Sequence, residues 1–192
     1  YEFGADYSAL YKSWEFKGFA TVYLSDVKDW IRWLPAGEVW RPKNIPKVES
    51  TGLETGVTVV KKWMEWRASA DINYTFTKVT VKESLIKNDP SVGHQMAYQP
   101  KHALSANVEA SYKKFSTAIS YNYIGKRSTT DMFDIMKGYS LLDLSVKYDF
   151  MLFKEYLSIT GEIKNILNTD YQNIMFYAMS GINFGIAVQW KF

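Results

Sequence analysis

Few residues in this sequence have a type and spacing that suggest catalysis or metal binding. His94 and His102 are the only histidines, cysteine is absent, and no carboxylate stands at ligand spacing from either histidine. Asp131 and Asp134 could approach a calcium ion, but two carboxylates fall short of the six to eight oxygen ligands that calcium takes. No nucleophile and base occur together. We therefore predict no enzyme activity, no metal site and no cofactor.

The remaining candidates for binding chemistry are large aromatic and methionine side chains in segments without a regular pattern. Such side chains suit stacking and apolar contact with a large, partly apolar ligand in a concave site. We predict that loops present this ligand site through Trp30, Trp33, Trp40, Met132, Phe133, Met136, Phe176 and Tyr177. The alternative for each residue is that it packs one loop on another or lies at a lipid boundary.

The elements that position these loops must be β-strands, because apolar residues recur at every second position along nearly the whole chain. This period is typical of strands with one apolar and one polar face. We predict nine strands of about 9–13 residues. The alternation that marks them is seen at residues 1–12, 14–26, 53–59, 68–77, 104–113, 115–123, 142–150, 157–164 and 182–192.

The connections between these strands alternate in length. Short links are predicted at 13, 62–67, 114 and 151–156, and long ones at 27–47, 81–103, 125–138 and 165–181. Short turns on one rim and long loops on the other are the layout of outer-membrane β-barrels. The polar strand faces would then line a wet lumen, with Glu2, Asp6, Glu54, Asp71, Glu109, Asp143, Lys147, Glu162 and Lys164.

Aromatic residues make up 17% of the chain and crowd the short-link rim. A belt of such rings is typical of the headgroup level of a bilayer. The short-link belt comprises Tyr11, Trp14, Trp63, Trp66, Tyr112, Phe115, Tyr148, Phe150, Phe153, Tyr156, Trp190 and Phe192. A looser set lies at the opposite strand ends, at Leu24, Phe76, Tyr123, Tyr139 and Phe184.

A soluble sandwich and a nucleic-acid-binding protein are the alternatives to a membrane barrel. Alternating strands also occur in soluble antiparallel sandwiches, but a sandwich has no reason to gather its tryptophans beside one set of turns. The net charge of +3 comes without a basic stripe, which excludes nucleic acid as the expected partner. The sequence therefore predicts an all-β, antiparallel, up-and-down transmembrane barrel segment of about nine strands.

Several stretches resemble the C-terminal barrel portion of TonB-dependent receptors, especially those of Bacteroidetes. They are residues 1–7, 22–31, 44–54 and 70–77, and the most specific is 163–171, which reads IKNILNTDY. The alternating apolar residues of the last strand resemble the signal that the barrel-assembly machinery reads. They are Phe184, Ile186, Val188, Trp190 and Phe192. The Trp-rich segment 29–42 resembles the cobalamin-type subgroup. Residues 179–182 depart from the Met-Pro-Gly-Arg-like turn that is usual in the family.

This resemblance implies a 22-strand barrel in the bacterial outer membrane, with these nine strands as its last nine. The chain would be a piece of a longer protein whose plug and earlier strands lie outside it. The implied partners are outer-membrane lipid, that plug, TonB acting through the plug, and the barrel-assembly machinery; a surface lipoprotein lid is a further candidate. The implied function is energised import of cobalamin, another corrinoid or a ferric siderophore. The alternatives are a passive porin or adhesin, and a soluble carbohydrate-binding sandwich.

Overall fold

A computed structural model describes residues 1–129, 134–152 and 155–191, which fold as antiparallel β-structure. In these ranges no helix is both long and apolar enough to cross a membrane. The strands are β1 Glu2–Tyr11, β2 Trp14–Ala36, β3 Val39–Trp63, β4 Trp66–Glu83, β5 His102–Tyr112, β6 Phe115–Ile124, β7 Arg127–Ser128, β8 Ile135–Met136, β9 Tyr139–Leu152, β10 Glu155–Lys164 and β11 Asn183–Lys191.

Nine of these strands form one sheet in the order β1-β2-β3-β4-β5-β6-β9-β10-β11, and β7 and β8 form a separate two-stranded ribbon. Each main strand pairs with the next main strand in the chain, so the sheet is an up-and-down meander. The predicted nine-strand, antiparallel, all-β architecture is confirmed.

The register aligns the apolar ladders of neighbouring strands on one face of the sheet. Val108 lies opposite Ile119, Ile119 opposite Leu144, and Leu144 opposite Ile163. Residues directly opposite each other share a face, so the apolar face is continuous across these strands. Val108 is 52% exposed and Ile186 is 82% exposed. A sandwich would bury these side chains against a second sheet, so the described residues contradict that alternative.

One rim of the sheet, the short-turn rim, is formed by two-residue turns. They lie at residues 12–13, 64–65 and 113–114, and the first residue of each, Lys12, Met64 or Lys113, has a φ of 51–54°. Just inside these turns a row of rings crosses five strands in register: Trp63, Trp66, Tyr112, Phe115 and Tyr148. We call it the aromatic row. Phe153 and Phe192 of the predicted belt lie outside the described residues.

The opposite rim, the long-loop rim, differs from the prediction between β2 and β3. Segment 27–47 was predicted to be a loop, but β2 and β3 pair through it up to a two-residue turn at Gly37 and Glu38. Gly37 takes a φ of 66°, which glycine adopts without strain. Within this stretch, the pairing is interrupted only at Asp29 and Pro46. Pro46 has no backbone N–H to donate a hydrogen bond to the neighbouring strand. The prediction of a loop was wrong because the segment contains three prolines and an irregular apolar pattern, which are both typical of loops.

This hairpin is much longer than a membrane-crossing strand. β2 contains 23 residues, whereas a tilted strand crosses a bilayer with about 9–11. At about 3.4 Å per residue, the excess corresponds to about 40 Å of strand. The hairpin therefore projects well beyond the long-loop rim.

The one buried apolar cluster among the described residues lies at the base of this hairpin, on the face that is polar lower down the strands. It contains Ile45, Val48, Val79, Val81 and Met96, with Trp30 packed against it. Along β4 the apolar residues change face: Phe76 lies on the apolar face, whereas Val79 and Val81 lie on the other face. Val81 pairs with Val48 of β3. Segment 84–101 covers the cluster with Met96, which is 2% exposed. We call this unit the outer cap.

On the polar face of β2 and β3, two aromatic rings lie over glycines of the neighbouring strand. Tyr23 faces Gly52 and Phe19 faces Gly56 across the β2–β3 ladder. A methyl group at either glycine would collide with the ring above it. The Tyr23 hydroxyl continues across β3 to lie 3.0 Å from Thr77 Oγ1 of β4. Both rings are therefore laid along the sheet.

Candidate functional site at the long-loop rim

The predicted ligand contacts fall into two separate groups. Trp30, Trp33 and Trp40 lie on the β2–β3 hairpin, whereas Met136 lies on β8 with Phe176 and Tyr177 in the segment before β11. β4, β5 and β6 stand between β3 and β9, which at about 4.8 Å per strand separates the groups by about 20 Å. Met132, Phe133 and Asp131 lie outside the described residues. The described contacts therefore form two surfaces on one rim.

The hairpin surface is aromatic and cationic. Trp33 pairs with Pro42 and Trp40 with Pro35, so both tryptophans share one face, and they are 60% and 38% exposed. Trp30 instead packs against the outer cap. This is the alternative given above, in which a predicted contact residue packs one loop on another. Segment 27–47 carries five basic and two acidic residues, a net charge of 5 − 2 = +3. The register places Arg41 and Lys43 on the opposite face, so the tryptophan face suits a ligand with rings, and the positive charge acts on a ligand from the rest of the hairpin.

Backbone and side-chain hydrogen bonds attach segment 84–101 to β4. The Gln95 side chain accepts from Val79 N at 3.0 Å and donates to Thr77 O at 3.2 Å. Met96 N donates to Val79 O at 2.7 Å, and Gly93 N donates to Val81 O at 2.8 Å. Gln95 thus replaces the strand partner that the end of β4 lacks.

Asp89 ties the same segment to the hairpin. Its carboxylate accepts from Ser84 Oγ, from Ser91 N at 2.9 Å and from Lys43 Nζ of β3 at 3.3 Å. Partial burial opposes the charged form, but these hydrogen bonds outweigh it and hold the pKa of Asp89 well below its usual range. The carboxylate is therefore charged wherever the cap is folded at ordinary pH.

The two histidines have separate surroundings. The His102 imidazole Nδ1 lies 2.7 Å from the Tyr74 hydroxyl, and its ring centroid is 5.2 Å from that of Phe76. His94 Nδ1 lies 3.2 Å from the carbonyl oxygen of Val92. In the described ranges no group of three or more His, Cys, Asp or Glu side chains could hold a metal ion. The absence of a metal site stays a prediction for the whole chain.

The second surface is a groove of about 320 Å³ between the β7–β8 ribbon, the start of β9 and the segment before β11. Its lining combines rings, thioethers and charges of both signs: Asp134, Met136, Lys137, Tyr139, Asp170, Tyr171 and Met175. Among the described predicted residues, Met136 lines the groove. Phe176 and Tyr177 follow Met175 directly and are 85% and 55% exposed.

Arg127 and Tyr139 connect the start of β9 and the β7–β8 ribbon to residues 171–173 on the other side of the groove. Arg127 is only 5% exposed; it donates to the Gln172 carbonyl oxygen, and its guanidinium carbon lies 5.3 Å from the Tyr139 ring centroid. The Tyr139 hydroxyl donates to Asn173 Oδ1 at 2.6 Å, and its ring lies 4.7 Å from that of Tyr171. These contacts join the two walls of the groove.

The stretch IKNILNTDY builds the loop that forms one of these walls. Asn165 and Asn168 take φ values of 51° and 47°, a conformation that asparagine tolerates better than most residues. Asn165 accepts from Thr169 N and donates to the carbonyl oxygens of Thr169 and Ser180. Asn168 accepts from Ile182 N at 3.0 Å. The stretch is distinctive because its asparagine side chains replace the hydrogen bonds of a strand partner.

Comparison with known families gives one match that covers most of the chain. The model of a family described as "TonB dependent receptor-like, beta-barrel" matches residues 1–166. This range runs from β1 through β10 and includes the start of the IKNILNTDY stretch.

Several solved structures have a similar fold. The ferric-catecholate import receptor Fiu from E. coli K12 is 15% identical, with a TM-score of 0.65 over 97% of this chain and 26% of that one. The copper transporter OprC is 13% identical, with a TM-score of 0.62 over 100% of this chain and 31% of that one. The FrpB iron transporter from Neisseria meningitidis is 13% identical, with a TM-score of 0.59 over 97% of this chain and 30% of that one. The chain thus spans about a quarter to a third of each.

Proposed function

The chain belongs to the TonB-dependent receptor-like β-barrel family, and on that premise we propose that it forms part of the wall of an outer-membrane receptor that imports a scarce nutrient. The observation that carries this proposal is the continuous, exposed apolar face of nine meandering strands with long connections on one rim. Apolar side chains so exposed to water are costly, and lipid chains remove that cost. Loops gathered on one rim provide the surface for a ligand.

We propose that the nutrient is a large iron chelate, with cobalamin or another corrinoid as the second candidate. The support is chemical: the exposed rings of Trp33 and Trp40 suit a ligand with rings, and the net positive charge of segment 27–47 attracts an anionic ligand to the hairpin. Two of the similar structures, Fiu and FrpB, are an iron import receptor and an iron transporter. The corrinoid candidate is supported by the sequence resemblance of segment 29–42. An origin in Bacteroidetes is supported by the resemblance of residues 1–7, 22–31, 44–54, 70–77 and 163–171.

The proposed partners follow from the family and from the edges of the sheet. β1 and β11 each have one neighbour, so both edges would pair with further strands of the same receptor. A plug inside the barrel and TonB acting through it would supply the energy. The β11 side chains Phe184, Ile186, Val188 and Trp190 are 58–82% exposed and would be read by the barrel-assembly machinery together with Phe192. A surface lipoprotein lid over the long-loop rim completes the proposal.

Uptake by cells that depend on the intact receptor tests this function. Radiolabelled ferric chelates and cobalamin are supplied to cells with and without TonB, and with Trp33→Ala or Trp40→Ala in the receptor. We expect the cells to take up one chelate, and we expect this uptake to require TonB and to fall severalfold in the two variants. Trp63→Ala, at the other rim, is the control and should leave uptake unchanged. Equal uptake without TonB would replace the receptor proposal by a passive barrel, and uptake of cobalamin alone would select the second ligand.

A further inference from the structure

Lys61 occupies an unexpected position on the apolar face. In the register of the nine described strands, this face contains one Lys, Arg, Asp or Glu side chain between the aromatic row and the level of Leu24 and Phe76, and that residue is Lys61. Its partners are Trp14 on β2 and Ala68 on β4. A charge that faces lipid is costly unless its side chain reaches the headgroups, so this position calls for an explanation.

The Lys61 side chain reaches the turn between β1 and β2. Its Nζ donates to Ser13 Oγ at 2.6 Å and lies 4.7 Å from the Trp14 ring centroid. Lys12, in the same turn, places its Nζ 5.3 Å from the Tyr11 ring centroid. Two ammonium groups are therefore held against ring faces at one turn. Because Ser13 Oγ accepts from Lys61, its own proton remains for another acceptor.

A second turn provides an internal comparison. Lys113 also lies over a ring, 5.2 Å from the Tyr112 centroid, but its Nζ forms an ion pair with Glu65 at 3.2 Å. Within the described part of the chain, Lys12 and Lys61 have no such carboxylate. The Lys113 ammonium group thus has a carboxylate partner, whereas neither ammonium group at the first turn has one among the described residues.

The surroundings indicate which anion balances this charge. The aromatic row marks the headgroup level of a bilayer, and long cationic side chains extend from apolar surface to that level. A phosphodiester there offers acceptors to both ammonium groups and to the hydroxyl, while its acyl chains lie on the apolar ladder. A free anion in water gains nothing from that ladder.

We propose that Lys61, Lys12 and Ser13 bind the phosphate of an anionic glycerophospholipid in the leaflet at the short-turn rim. This lipid site is separate from nutrient import, and its test does not depend on uptake.

The test is native mass spectrometry of the intact detergent-purified receptor, titrated with phosphatidylglycerol or with phosphatidylcholine of the same acyl chains. We expect Lys61→Gln to lower the bound fraction of phosphatidylglycerol about fivefold, since one lysine near an anionic surface contributes about that factor. Adding Lys12→Gln lowers it further. Lys61→Arg retains binding, which separates loss of charge from a folding defect. Lys113→Gln is the matched control and changes binding less than twofold.

Each contrary result overturns the proposal. Wild-type binding in Lys61→Gln, or an equal loss in Lys113→Gln, removes the site from the first turn. Equal binding of phosphatidylcholine removes the role of net negative charge. A third arm adds inorganic phosphate. If phosphate alone displaces the lipid, or raises the melting temperature of the receptor as much as phosphatidylglycerol does, the site binds free phosphate and not lipid.

Discussion

The part of β3 near the aromatic row and its outer part, in the projecting hairpin, place apolar side chains in different surroundings. Val57, at mid-strand, is 52% exposed on the continuous apolar face, whereas Val48, nine residues earlier, is fully buried in the outer cap. The first valine depends on something outside the chain, and the second is covered by residues 84–101 of the same chain. In the proposed barrel, the change of face between Phe76 and Val79 therefore marks the height at which the chain itself replaces lipid as the apolar partner.

The largest expected effect comes from the same charged substitution at both valines. Val48→Lys buries an unpaired charge in the cap and should cost on the order of 4 kcal/mol or more in detergent and bilayer alike. Val57→Lys should cost about 2–4 kcal/mol in a bilayer of matched thickness and little in detergent. Hydrogen exchange of residues 77–101 in both media measures the first, and urea unfolding in vesicles the second. Equal costs for both variants in both media would contradict the comparison.

A smaller effect is expected from a cavity in the cap. Met96→Ala removes a 2%-exposed side chain and should destabilise segment 84–101 by about 2–4 kcal/mol. Met64→Ala, in a turn where the side chain is 89% exposed, is the control and should change stability by less than about 0.5 kcal/mol. Limited proteolysis of segment 84–101 in the intact receptor distinguishes them, and equal cleavage of both variants would show that the cap is not a packed unit.

Loss of the Asp89 tie should cost less, about 1–2 kcal/mol in Asp89→Asn. Since folding depresses the pKa of Asp89, its contribution is fully present above the ordinary value of 3.8 and declines as the pH falls below it towards the folded-state pKa. The ratio of the exchange rates of Asp89→Asn and wild type at the same pH should therefore be constant from pH 5 to 7 and fall towards one below pH 3.8. A ratio that changed between pH 5 and 7 would assign this contribution to another group.

The smallest effect belongs to the aromatic row. The Trp66 and Tyr112 rings are 4.6 Å apart, and Trp66→Leu should remove about 0.5–1.5 kcal/mol of ring–ring interaction. This loss should vary with the thickness of the bilayer in which the receptor is unfolded, because the proposed barrel would place the row at the headgroup level. Trp33→Leu, on the projecting hairpin, should show no dependence on thickness. Identical thickness profiles for the two variants would separate the row from the membrane boundary.

Period-two alternation was sufficient to predict the nine main strands and the side on which each presents its apolar residues. It failed where the alternation changes phase. Between Phe76 and Val79 the apolar residues pass to the other face, and at Asp29, with a φ of 55°, the pattern of the hairpin breaks. Both irregularities are visible in the sequence, and a search for phase reversals would have located the outer cap.

The long-loop rim was harder to predict because its order depends on side chains that act as backbone partners. Gln95, Asp89, Asn165 and Asn168 hold their segments by hydrogen bonds to main-chain groups distant in sequence. None of these residues was expected as a structural element, although the IKNILNTDY stretch was recognised as distinctive. Such contacts depend on which loops meet, and composition carries no information about that.

The rings of Tyr23 and Phe19, lying along the sheet over Gly52 and Gly56, have a consequence for the polar face. A side chain at either glycine would tip the ring away from the sheet, into the space that the proposed plug occupies. Two hydrogen atoms in place of side chains thus keep this sector of the wall thin, and glycine-to-alanine changes on β3 would act on the fit of the plug before they act on folding.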